Sequence, residues 1–192
     1  MEKIKQLIQS SIDAKQQLLE NEALLRTIRD CSHIIIDAFR NGKRVYLCGN
    51  GGSASDAQHI AAEFTGRFYL DRKALPAEAL HCNSSYMTAV ANDYSYDVVY
   101  ARLVEGIMNE GDILIGLSTS GNSANIVKAI EMAKTKGVIT IGFTGQKGGK
   151  MRELCNFLID VPSNDTPRIQ ECHILVGHIV CQLVEEVYFE LD

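Results

Sequence analysis

Five short, mostly apolar runs, near Lys43 to Cys48, Ala77 to His81, Asp112 to Leu117, Val138 to Phe143 and Phe157 to Val161, alternate along this chain with segments of helical period. Short runs that are apolar on both alternating faces belong to strands covered from both sides. A helix between successive strands lets each strand run in the same direction as the last, so the pattern predicts an α/β fold. Its expected form is a five-stranded parallel sheet flanked by helices in three layers. Two amphipathic helices precede the first strand. Apolar residues recur at Ile4, Leu7, Ile8, Ile12, Leu18 and Leu19, and again at helical spacing from Leu24 to Phe39. Asn21 before Glu22 is a cap between these helices, and Asn41-Gly42 is a stop after the second. No repeat, low-complexity tract or linker interrupts the 192 residues, so one domain over 1–192 is expected, with 1–41 as an N-terminal helical pair.

The last helix, roughly Pro167 to Phe189, is apolar nearly all round: Ile169, Ile174, Leu175, Val176, Ile179, Val180, Leu183, Val184 and Val187. Such a helix is buried on several sides. Covering it together with an amphipathic N-terminal pair is simplest by subunit association, so a homo-oligomer is expected. A net charge of -5 argues against a nucleic-acid or anionic-membrane surface, which would need a basic stripe. The six cysteines form no CxxC pair or framework and read as buried free thiols, pointing to a reducing cytoplasm. The N-terminus has no apolar leader, and no segment approaches the ~20 apolar residues that cross a bilayer.

Two strand ends carry anion chemistry. Cys48-Gly49-Asn50-Gly51-Gly52-Ser53 closes the first strand and opens a helix, so backbone N–H groups and the Ser53 hydroxyl can meet an anion at the positive end of the helix dipole. Ser118-Thr119-Ser120-Gly121-Asn122-Ser123 follows the third strand and leads into the helix of Ile126 to Lys134. Four hydroxyls at a helix start form an anion nest without a cationic side chain; the competing reading is a serine-rich helix cap. Position after a strand in an α/β pattern favours the ligand. The first turn also matches G-x-G-x-x-A, but the second strand ends in His81, Cys82 and Asn83, with no acidic residue for a ribose. A nucleotide cofactor is therefore not expected.

His59 and Glu63 lie four apart on the helix that the glycine turn opens, so both project from one face as an acid/base or metal-binding pair, or as a solvated i,i+4 pair. The last helix adds Gln170, His173, His178 and Gln182 within an apolar surface, a polar seam of which one member should face the site. Asn92-Asp93 can offer an amide and a carboxylate to sugar hydroxyls, or make a turn. Arg67, one turn beyond Glu63, can pair with an anion or with Glu63. His33 and His81 read as structural, and Cys48 as a small core residue.

In its N-terminal helices, Gly49-Asn50-Gly51-Gly52-Ser53, Gln58-His59 through Glu63-Phe64-Thr65-Gly66-Arg67, Asn92-Asp93, Ser118 to Ser123, Thr144-Gly145, Gly148-Gly149-Lys150-Met151 and Arg168-Ile169-Gln170-Glu171, the chain resembles the sugar isomerase (SIS) family, and within it the phosphoheptose isomerases. The resemblance implies that Ser118, Thr119, Ser120 and Ser123 hold the substrate phosphate, with Asn50, Gly51, Gly52, Asn92 and Asp93 on the sugar. Ser53, Arg67 and Gln170 are counted with the substrate-binding set. It makes Glu63 and His178 the proton-transfer pair, and implies one zinc per subunit on His59, Glu63, Gln170 and His178 in a cytoplasmic homotetramer. Gln170 and His178 are eight residues apart, roughly 12 Å of helix rise. A four-ligand site therefore needs a distorted turn near Pro167 or ligands from different subunits.

The implied reaction turns D-sedoheptulose 7-phosphate into D-glycero-D-manno-heptose 7-phosphate through an enediolate, the first step toward nucleotide-activated heptose for surface lipopolysaccharide. A carboxylate at its ordinary pKa is a weak base for a carbon-bound proton. Glu63 should therefore sit where burial, a metal or hydrogen-bond donors favour the transfer. His178 would serve the oxygen side. Two other readings carry the same loops: a non-catalytic SIS protein that binds a replication initiator, and a sugar-phosphate-sensing module. The presence of both Glu63 and His178 favours the enzyme.

Overall fold

A computed structural model describes residues 1–189. Its elements run α1 (Glu2–Leu19), α2 (Glu22–Arg40), β1 (Val45–Cys48), α3 (Gly52–Thr65), β2 (Ala77–Ala79), α4 (Ser84–Asp93), a 3-10 turn (Tyr96–Val98) and α5 (Val99–Ile107). Then come β3 (Ile113–Leu117), α6 (Ala124–Thr135), β4 (Ile139–Gly145), α7 (Met151–Leu154), β5 (Phe157–Val161) and α8 (Thr166–Tyr188). All five strands pair in parallel in the order β2-β1-β3-β4-β5.

The central strands β1, β3 and β4 are buried on both faces, so alternate residues feed two separate cores. Val45, Leu47, Ile113, Ile115, Ile141 and Phe143 pack with α2, α3 and α8, while Tyr46, Cys48 and Leu114 pack with α5 and α6. This is the three-layer arrangement the sequence pattern predicts. Strand order reverses between β1 and β3, whose following helices lie on opposite faces; such a switch point leaves a crevice at the carboxyl ends of the two strands. The glycine turn after β1 and the serine loop after β3 both open into it.

The N-terminal pair is not one unit. α2 buries Leu24, Ile28, Cys31, Ile35, Ile36 and Phe39, and Asn21 caps it by accepting from the Leu24 N–H at 3.1 Å. α1 buries only Ala14 and Leu18; Ile4, Leu7, Ile8, Ile12 and Leu19 of its apolar series are exposed in the single chain. It is held to the start of α8 by polar contacts. Arg168 donates to the Leu7 carbonyl at 2.7 Å and to Glu171, whose carboxylate also accepts from Ser11 at 2.5 Å.

The cysteines are all free thiols, but not all buried. Cys82 is exposed, because it falls in the turn after β2 rather than in an apolar element, and Cys155 is half-buried. Burial pushes the Cys31 thiol up to about 12, so it is not a nucleophile near neutrality. Among the described residues, no helix is long and apolar enough to cross a membrane.

Candidate active site

Helices α3 and α8 bring the site together because one position between them has no side chain. Gly177 of α8 lies against Ile60 of α3, where a Cβ would meet Ile60 Cδ1 at 2.5 Å. The next residue on α8 is His178, and the residue before Ile60 is His59. Close approach at Gly177 therefore carries these two imidazoles together: their Nε2 atoms are 3.5 Å apart and their rings meet edge-on with centroids 5.0 Å apart. Glu63, one turn beyond His59, accepts from His59 Nε2 at 2.9 Å. One ligand atom from each of His59, Glu63 and His178 falls within a mutual 4.8 Å, joining residues from both helices. The side chains are 51% exposed for His59 and 21% for Glu63, so the cluster is open enough to admit a substrate. Phe68, in the loop after α3, closes one side, its ring 5.8 Å from that of His178.

The glycine turn and the serine loop are joined by a reciprocal amide pair. Asn50 Nδ2 donates to Asn125 Oδ1 at 2.9 Å, Asn125 Nδ2 returns to Asn50 Oδ1 at 2.8 Å, and the Tyr96 hydroxyl donates to the same Asn50 oxygen at 3.1 Å. Tyr100, fully buried, donates its hydroxyl to the Gly49 carbonyl at 2.6 Å. In the serine loop Ser123 takes the N-cap position of α6. Its side chain makes no capping hydrogen bond there; its Oγ lies 2.9 Å from that of Ser118. Its hydroxyl is therefore not committed to the helix start, where an anion is favoured.

Comparison with known proteins identifies the family. The SIS domain family matches residues 8–145. Phosphoheptose isomerase of Aneurinibacillus thermoaerophilus is 54% identical over 186 residues, covering 97% of this chain and 94% of that one. That of Clostridium acetobutylicum is 54% identical over 182 residues, covering 95% and 93%. The chain belongs to the phosphoheptose isomerase family of SIS-domain proteins. The solved phosphoheptose isomerase of Neisseria gonorrhoeae has 37% identity and a TM-score of 0.90, covering 96% of this chain and 98% of that one. That of Francisella tularensis has 34% identity and a TM-score of 0.92, covering 96% and 97%.

Within this phosphoheptose isomerase fold the expected site residues separate into groups. Gln170 stands apart from the histidine pair: its amide lies against Gly52, where a Cβ would come within 2.6 Å of its nitrogen. Gly52 precedes His59 by seven residues, roughly 10 Å of helix, so this amide faces the glycine turn. Positions 170 and 178 lie eight residues apart on α8, so both would reach one ~2 Å coordination sphere only through a distorted turn or from different subunits. Thr119 and Ser120 line a cavity of about 340 Å³ toward β4 and β5 that also contains Lys147 and Asn164. Lys147 thus lines the same cavity as two residues of the serine loop, and the sequence pattern gives no sign of it. Asn92 and Asp93 are exposed at the end of α4 and bonded to each other at 2.9 Å. Arg67 is exposed, and among the described residues no ion pair joins it to Glu63.

Of the seam on α8, His178 faces the site while His173 does not. His173 is fully buried and donates to the Thr144 carbonyl at 3.1 Å, and burial lowers its pKa to about 4, so it is a neutral core group. Sequence reasoning missed Asn125, Tyr96, Tyr100, Lys147 and Asp56. Asp56 lies three residues before His59 on α3; burial raises its carboxyl pKa, with His59 opposing the shift. An i,i+3 test applied around His59 would have found it.

Proposed function

We propose that the His59, Glu63 and His178 cluster is the proton-transfer centre of a phosphoheptose isomerase acting on D-sedoheptulose 7-phosphate to give D-glycero-D-manno-heptose 7-phosphate. The observation that carries this reading is the meeting of a carboxylate and two imidazoles from two helices, one of them opened by the glycine turn. Aldose–ketose isomerisation moves a proton from carbon 1 to carbon 2 and another between the two oxygens, with an enediolate between. Glu63 takes the carbon-bound proton and returns it to the neighbouring carbon. His178, with an imidazole that can hold or release a proton, serves O1 and O2 and the ring-opening step. Ser118, Thr119, Ser120 and Ser123 bind the phosphate, with Lys147 as its countercharge. Asn50, Gly51, Gly52, Ser53 and Gln170 contact the sugar, and Arg67, Asn92 and Asp93 reach it from the rim.

Two imidazole nitrogens and a carboxylate oxygen are a donor set that suits zinc. The His59–Glu63 and His59–His178 separations, 2.9 and 3.5 Å, lie either side of the roughly 3.3 Å between neighbouring ligands of a tetrahedral ion bound at ~2.0–2.1 Å. His59, Glu63 and His178 would hold the ion; Gln170 joins them only by leaving Gly52 or across a subunit contact. A bound zinc would supply Lewis-acid stabilisation of the enediolate oxygens. The exposed apolar series of α1 is the face used to build a homotetramer, and the free thiols fit a reducing cytoplasm.

The test is a coupled assay with sedoheptulose 7-phosphate on wild type and Glu63→Gln, before and after chelation. Turnover by wild type, lost in Glu63→Gln and restored to the chelated wild type by zinc, is expected. No turnover by zinc-supplied wild type would sink the reading.

A further inference from the structure

The buried pair Arg72 and Glu185 lies outside the groups just assigned, yet it touches both helices that form the centre. Arg72 is in the loop after α3, and its side chain is 5% exposed; that of Glu185, on α8, is 2% exposed. Arg72 Nε donates to Glu185 at 2.8 Å. The rest of its guanidinium turns to the end of α3: Nη2 donates to the Glu63 carbonyl at 2.8 Å, and Nη1 to the carbonyls of Phe64 at 2.7 Å and Gly66 at 3.2 Å. A helix end leaves its last carbonyls without partners, and a cation there meets the negative end of the dipole. Arg72 is thus the C-terminal cap of the turn that carries Glu63.

Glu185 completes the arrangement from the other side. Besides Arg72 it accepts from the backbone N–H groups of Tyr69 at 2.8 Å and Leu70 at 3.0 Å, in the loop whose Phe68 ring flanks His178. Glu185 is seven residues beyond His178, two turns along the same face of α8. Burial would raise its carboxyl pKa, but the hydrogen bonds from Arg72, Tyr69 and Leu70 outweigh it and hold the pKa below the usual value. One carboxylate–guanidinium unit therefore fixes the end of α3, the loop behind it and the His178 face of α8.

We propose that Arg72 and Glu185 are positioning residues for the proton-transfer centre, setting the separation of Glu63 and His59 from His178. The proposal rests on reading that cluster as the isomerase centre. A bidentate guanidinium is required, because only a planar fork reaches Glu185 and the Glu63 carbonyl at once; lysine keeps the charge and loses the bridge.

The test compares wild type, Arg72→Lys and Glu185→Gln. It measures thermal melting, affinity for added Co2+ from the visible ligand-field bands of the apoprotein, and kcat and KM separately. The expected result is a folded Arg72→Lys protein with Co2+ affinity weakened about tenfold or more. Its kcat falls by a similar factor while KM stays within about twofold, since the phosphate loop is untouched. Glu185→Gln follows the same direction. Co2+ affinity and kcat within twofold of wild type in folded Arg72→Lys overturn the proposal. Failure of both variants to fold does so too, because the pair would then serve the fold alone. The Co2+ readout does not depend on turnover: wild type that binds Co2+ without isomerising sedoheptulose 7-phosphate refutes the isomerase reading and leaves the clamp standing.

Discussion

At the scale of single residues, two histidines on one helix have opposite fates. His178 is half-buried and faces His59 and Glu63, whereas His173 is sealed beneath β4 as a neutral donor. The buried one makes stability depend on pH. Its folded pKa, about 4, lies below the 6.5 of an unfolded chain, so the unfolded state binds the extra proton between those values. Stability from this group is fully present above pH 6.5, is lost as pH falls through the window from 6.5 to 4, and changes no further below it. The slope is at most ~1.4 kcal/mol per pH unit. Urea unfolding at pH 7 and pH 5 should show this loss in wild type and a shallower one in His173→Gln. At Glu63 the prediction is catalytic: Glu63→Gln should reduce kcat by about a thousandfold or more with KM within a few-fold, because the amide keeps shape but takes no proton. Neither histidine's role was legible from the residue itself. The four-apart pair of His59 and Glu63 was, because helical spacing alone puts them on one face.

At the scale of elements, the decisive contact is between α3 and α8. Gly177→Ala places a methyl group 2.5 Å from Ile60 Cδ1 and should cost ~1–3 kcal/mol by overpacking, with a matching loss of Co2+ affinity as the helices part. Ile60→Ala removes the colliding atoms. A double-mutant cycle on thermal stability should therefore show positive compensation in Gly177→Ala/Ile60→Ala; strict additivity would deny the close approach its role. The loops behave as a second coupled pair. Asn50 and Asn125 satisfy each other's amides across the crevice, and removing either one strands the other. Asn125→Ala should raise KM more than it lowers kcat, read from steady-state kinetics, because it loosens the serine loop proposed to hold the phosphate without touching Glu63. The sequence showed both loops, since glycine and serine clusters after strands are local signals. It did not show their tie, which joins residues 75 positions apart.

For the whole molecule, α1 has an exposed series of Ile4, Leu7, Ile8, Ile12 and Leu19, while Arg168 and Glu171 anchor it to α8 just beside Gln170. If that series is the subunit contact, Ile8→Lys combined with Ile12→Lys should shift the protein to smaller species in light scattering while a single chain's melting changes little. An unchanged mass would remove α1 from the interface. From the sequence alone came the α/β class, the five strands within a residue or two, the two N-terminal helices with the Asn21 cap between them, and the loops after β1 and β3. These depend on periodicity and turn chemistry, which neighbours in the chain decide. Tertiary structure alone decided that Gln170 faces the glycine turn, that His173 is core, that Lys147 lines a cavity with Thr119 and Ser120, and that Arg72 and Glu185 clasp α3 and α8. Each of these depends on how helices cross and which strand ends lie side by side. Packing sets that geometry through contacts between distant residues, and it leaves no period or short motif in the chain to be read.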